Sequence, residues 1–142
     1  MKKMLAALAL TALATPALAQ DGPDIVTVVT ADNPQTQLMA MVLSAQAMEQ
    51  GNSLHILLCG DGGDMGLAEA PADITAPQPP RDMSPQGLMQ MLMQNGATVE
   101  VCAIYLPGMG ADESVLLEGV GVAQPAAMAA AMAAEGTQVW GF

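Results

Sequence analysis

Ile25-Val26-Thr27-Val28-Val29-Thr30 is a β-branched run that follows a Gly-Pro turn, and it constrains the fold more than any other segment. Such a run reads as a buried strand. Asn33-Pro34 then supplies a helix cap and a first-turn proline. Leu38, Met41, Val42, Ala45 and Met48 follow at helical spacing, and Gly51 closes the helix. Leu54 to Leu58 is a second apolar strand, ended by Cys59 and a loop, Gly60-Asp61-Gly62-Gly63-Asp64. Both strands are apolar on both faces, as a sheet covered on both sides requires.

The alternation continues. Gly66 to Pro85 carries Pro71, Pro77, Pro79, Pro80 and Pro85, so it is read as an irregular excursion with a short helix around Met65 to Glu69. Ser84-Pro85 restarts helix with Leu88, Met91 and Leu92 inward, and Asn95-Gly96 stops it. Thr98 to Leu106 reads as a third strand with Pro107 as terminator, and Asp112 as the cap of a short helix to about Leu117. Gly119 to Ala123 is a short fourth strand, Gln124-Pro125 opens an Ala/Met helix ended by Gly136, and Thr137 to Phe142 is the last strand. The predicted fold class is α/β: one three-layer α/β/α domain with a mostly parallel sheet. Ligands in such folds bind at the carboxyl ends of the strands. That edge holds Asp32 and Asn33, then Cys59, Gly60 and Asp61, then Cys102 to Pro107.

The 142 residues allow one domain, and they carry 14 acids against three Lys/Arg, a net charge of −11. This balance excludes nucleic-acid binding by phosphate neutralisation and disfavours anionic membrane surfaces. With 52% apolar residues the chain is no disordered acidic tail. Lys2-Lys3, an apolar run from Met4 to Ala14 broken only by Thr11, and Ala17-Leu18-Ala19 together read as a secretory signal peptide, residues 1–19. The run is short for a bilayer span. Cleavage after Ala19 leaves residues 20–142 as the domain. Losing both lysines takes the charge from −11 to −13, with Arg81 the sole strong cation. In a bacterium the product is expected in the periplasm or secreted, with no membrane attachment.

Leu57-Leu58-Cys59-Gly60-Asp61 after the second strand and Gly96-Ala97-Thr98-Val99-Glu100-Val101-Cys102 at the third resemble the DsrE/DsrF-like sulfur-relay superfamily, the YchN fold. Leu116-Leu117-Glu118-Gly119-Val120 is similar to the family's entry into its next strand. The resemblance implies a small α/β fold, a homo-oligomer (trimer or hexamer), sulfur donor or acceptor proteins as partners, and a persulfide on the cysteine of the third strand, here Cys102. No cofactor is expected. Two features depart from the relay pattern: the export signal, and Ala103-Ile104-Tyr105-Leu106-Pro107 after Cys102, which lacks a cation.

A sulfur carrier needs a thiolate, and a free thiol titrates near about 8.5. Only Arg81, His55 and the helix near Asp112 could lower that value, while the carboxylates raise it. Cys102 therefore reads either as the reactive thiol or as a buried structural cysteine. Cys59 is the second-thiol candidate. If the first strand lies between the second and third, the two cysteines sit roughly 9–10 Å apart, beyond the usual disulfide reach of about 7 Å.

A soft-metal alternative rests on 13 methionines. Met89 and Met93 are i,i+4 neighbours on one helix, and thioethers with thiolates select ions such as Cu(I). The competing role for Met is core filling, since the chain has one Phe, one Trp and one Tyr. A third reading is a non-catalytic oligomeric interaction domain. The glycine loop after Cys59 lacks the Lys and Ser/Thr of a phosphate loop and reads as a turn. His55 reads as a core or interface histidine.

Overall fold

The computed structural model describes residues 24–142; the signal peptide expected at 1–19 lies outside them. Five strands, β1 (Ile25–Val29), β2 (Leu54–Leu58), β3 (Thr98–Val101), β4 (Gly121–Val122) and β5 (Gln138–Gly141), form one sheet. Their order is β4-β3-β2-β1-β5, and all four pairings are parallel. The helices are α1 (Pro34–Glu49), α2 (Ala72–Thr75), α3 (Pro85–Gln94), α4 (Tyr105–Met109) and α5 (Pro125–Ala133). Short 3-10 segments span Gly60–Gly66 and Glu113–Val115. The expected α/β architecture is the one observed, and the sheet is parallel throughout.

Strand alternation sorts the side chains into two layers. Ile25, Val29, Ile56, Leu58, Val99 and Val101 face the larger core with α1 and α3. Val26 and Leu57 face the smaller one, closed by Ala123 and by Met128 of α5. Asn33 caps α1, its side chain accepting from the Gln35 and Thr36 N–H groups, and Ser84 caps α3 through Gly87 N–H.

The buried face of α1 is Gln37, Ala40, Met41, Ser44 and Ala47. Of the predicted stripe only Met41 is fully buried; Leu38, Val42, Ala45 and Met48 flank it. An apolar residue stands at almost every turn position of this helix, so periodicity did not select a face. Polar pairing did: Ser44 Oγ bonds Thr27 Oγ1 of β1 at 3.0 Å, and Gln37 Nε2 donates to Ala31 O at 2.8 Å. On α3, Leu88 and Leu92 are buried as expected, but Met91 is 45% exposed and Met89 takes its place inside.

Three predicted boundaries shift. β3 ends at Val101, not Leu106. One more ladder bond follows, from Cys102 N–H to Leu58 O at 2.8 Å, before Tyr105 N–H turns back to Cys102 O at 2.9 Å. Pro107 does not terminate a strand but sits in the first turn of α4, where its missing N–H has no helical acceptor to lose. The helix expected from Asp112 to Leu117 is the 3-10 turn Glu113–Val115, because Leu116 straightens to bridge Leu67 and Leu117 N–H bonds Gly66 O at 2.8 Å. That bridge also replaces the helix expected over Met65 to Glu69; the 3-10 segment ends at Gly66.

Candidate functional site

The strand order brings the two cysteines together. β2, not β1, lies next to β3, and the register pairs Leu58 with Val101. One residue further, Cys59 and Cys102 are direct neighbours with a Cα–Cα distance of 5.1 Å, and they form a disulfide. The expected separation of two strands is therefore corrected to one, and the usual geometric objection disappears. The hydrogen-bond ladder runs one residue past Leu58 and Val101. Cys59 N–H donates to Val29 O at 2.9 Å, and Cys102 N–H donates to Leu58 O at 2.8 Å. Both sulfurs are thus carried on rigid backbone at the carboxyl edge of the sheet.

Both cysteines are half-buried and pack on the thinner layer with Val28, Leu57, Met128 and Met132. His55 and Glu100 lie on the same face by alternation, two and one strand repeats back from the disulfide. Their side chains meet at 2.7 Å. His55 is therefore a half-exposed partner of Glu100 rather than a core histidine. Of the other predicted edge residues, Asp32 and Asp61 are exposed, and Asn33 is committed to capping α1.

The glycine loop is a packing device. Gly60 turns the chain at φ 53°. A Cβ on Gly62 would press into the Val29 carbonyl group of β1, and one on Gly63 would enter the Tyr105 ring. Above that contact Tyr105 donates its hydroxyl to Asp64 Oδ1 at 2.6 Å. Gln86 of α3 holds the far end, donating to Met65 O at 3.0 Å and to Leu67 O at 2.7 Å. Neither the Tyr105–Asp64 pair nor the Gln86 clamp was legible in the sequence, since each joins residues about 20 to 40 positions apart with no motif between them.

Burial pushes the Tyr105 phenol well above its ordinary 10.0, and the Asp64 hydrogen bond and the charges of Asp64 and Asp61 push it further. A raised phenol contributes stability that is complete below pH 10 and is lost as pH rises through the folded value. Tyr105 is the chain's one tyrosine, so ultraviolet titration reads it alone. The native protein is expected to stay un-ionised through pH 10 while the denatured chain titrates there; coincident curves would refute the buried contact. At Asp112 the Ser114 hydroxyl and N–H hold the exposed carboxyl below its ordinary range.

The soft-metal candidates are both engaged with the main core. Met89 is wholly inside the main core, and Met93 is half-buried against Gly119. Among the described residues no three His, Cys, Asp or Glu side chains converge. A hollow of about 300 Å³ at the amino edge and a groove of about 570 Å³ between α1, α3 and Pro79-Pro80 include neither cysteine. No described helix is long and apolar enough to cross a membrane.

A parallel α/β sheet with a disulfide-bonded cysteine pair at its carboxyl edge defines the class: a small parallel α/β domain. The DsrE/DsrF-like family model matches residues 24–139, and the chain belongs to that family. Two solved structures share the fold. A protein of unknown function, MTH1491 from Methanobacterium thermoautotrophicum, superposes with TM-score 0.65 at 16% identity, covering 84% of this chain and 99% of that one. The YchN protein from E. coli gives TM-score 0.65 at 18% identity, covering 85% and 99%. A comparison with curated proteins finds no match.

Proposed function

We propose that this protein is an exported sulfur carrier that holds a persulfide on Cys102, with Cys59 as the thiol that closes on it. The observation that carries this reading is the placement of two half-buried cysteines, bonded to each other, at the carboxyl edge of a DsrE-like sheet. A persulfide on Cys102 would stand beside the one side chain able to attack it. Thiol-bearing carriers need that sulfur on rigid backbone and within reach of a donor, and the ladder bonds of Cys59 and Cys102 supply the rigidity. Export is supported by the signal-like residues 1–19 and by the disulfide, a bond that persists in oxidising compartments. Assembly into a trimer or hexamer belongs to the same proposal. The exposed Met39, Leu43 and Met91 on α1 and α3 are the apolar surface it would cover.

The test uses protein recovered from bacterial periplasm, whose mass should begin at Gln20. After reduction by a dithiol it is treated with an organic persulfide and mapped by mass spectrometry. One added sulfur on the Cys102 peptide, released by reductant, is expected; Cys102→Ser should lose it completely. A dioxidised cysteine has nearly the same mass but resists reductant. Reduced wild-type protein that gains no sulfur at Cys102 would overturn the carrier reading.

A further inference from the structure

The sulfur donor is open in the carrier reading, and the charge distribution around the cysteine pair narrows it. Arg81 is the single Lys or Arg among the described residues. It lines the groove over α1 and α3, whereas the disulfide packs in the opposite layer under α5. An anionic donor such as thiosulfate or a carboxylate-bearing persulfide would meet no cation at the pair and a chain of net charge −11. The two hollows described above include neither cysteine. What the surroundings favour is a small donor that can approach uncharged, across Val28, Leu57 and Met132.

We propose that the disulfide form itself takes up hydrogen sulfide. The inference rests on the carrier reading and names the donor for the same site. The sulfide sulfur attacks Sγ of Cys102, the Cys59–Cys102 bond breaks, and Cys59 leaves as a thiolate. One of the two sulfide protons passes to Cys59 and the other stays on the new persulfide. Sulfide loses the two electrons that the disulfide gains, so no further oxidant enters the step. Attack is placed on Cys102 because the carrier reading puts the persulfide there, which leaves Cys59 as the departing thiol. The exchange is the ordinary displacement by which disulfides open, with sulfide in place of a thiol.

The backbone makes the step reversible. The bonds from Cys59 N–H to Val29 O and from Cys102 N–H to Leu58 O do not depend on the sulfurs. After opening, the Cys59 thiol remains beside the persulfide and can displace sulfide again as its concentration falls. A carrier built this way loads where sulfide is abundant and empties where it is scarce; a dithiol reductant instead resets it to the open form.

The experiment treats oxidised full-length mature protein with near-stoichiometric sodium sulfide under anaerobic conditions, with an alkylating agent present. An alkylated persulfide on the Cys102 peptide together with an alkylated thiol on Cys59 is expected, one of each per chain. Prereduced protein given sulfide alone should gain no sulfur, because no disulfide is there to accept electrons. Oxidised protein that stays closed, opens without retaining sulfur, or carries the sulfur on Cys59 would overturn the inference. If reduced protein loads from the organic persulfide while the oxidised form ignores sulfide, the carrier reading stands and sulfide uptake falls. If neither loads, both fall.

Discussion

Reduction of the Cys59–Cys102 bond is expected to lower the stability of the folded protein by about 4 kcal/mol. The bond closes a ring across a sequence separation of 43, and loop-closure entropy for a ring of that size gives a figure of this order, about 4 kcal/mol. The single tryptophan, Trp140 of β5, is half-buried against the main core and reports unfolding by fluorescence. With a urea slope of about 1.5 kcal/mol/M, the midpoint of the reduced protein should fall by about 2.7 M. A loss of this size still leaves a domain of ordinary stability, about 5–15 kcal/mol, folded as a dithiol, which the carrier reading requires. A change below about 1 kcal/mol would mean that the ladder hydrogen bonds alone fix the two strand ends, and that the unfolded chain gains little freedom on reduction.

Gly62→Ala is the second large effect. Its Cβ would come within 2.7 Å of the Val29 carbonyl carbon, and Val29 belongs to a strand paired on both sides. Main chain in that position cannot give way as the end of a flexible side chain can. The cost is expected near the top of the overpacking range, about 3 kcal/mol. Gly108 is the control. It lies in α4 with open space where an alanine methyl would stand, and Gly108→Ala should be neutral or stabilise by up to about 0.8 kcal/mol. Equal effects at the two sites, read from urea midpoints, would show that the glycine loop is not pressed against β1.

That glycine loop marks a boundary of sequence reading. Its five-residue pattern was legible as a turn, and its missing Lys and Ser/Thr excluded a phosphate loop. Its packing role was not legible, because the obstacles to a side chain are Val29 and Tyr105, both far away in sequence. The α1 face shows the same limit: with apolar residues all around the helix, the Thr27–Ser44 bond chose the side. Met89 and Met93 were correctly paired on one helix, yet only the packing of α3 showed that Met89 is sealed inside. Composition alone extends the third strand to Leu106, because the residues stay largely apolar that far; the turn from Tyr105 N–H back to Cys102 O ends it.

From the sequence alone came the β-branched and apolar strand runs, the capped helices between them, the parallel α/β class, and the edge at which chemistry would sit. These are local properties, set by side-chain branching, caps and the spacing of apolar residues along a few turns. The adjacency of Cys59 and Cys102 was decided by the tertiary structure. It depends on which way each crossover carries the chain, and so on the choice of β2 rather than β1 as the neighbour of β3. No residue on either strand encodes that choice by itself; it follows from how α1 and α3 bury their shared face on one side of the sheet.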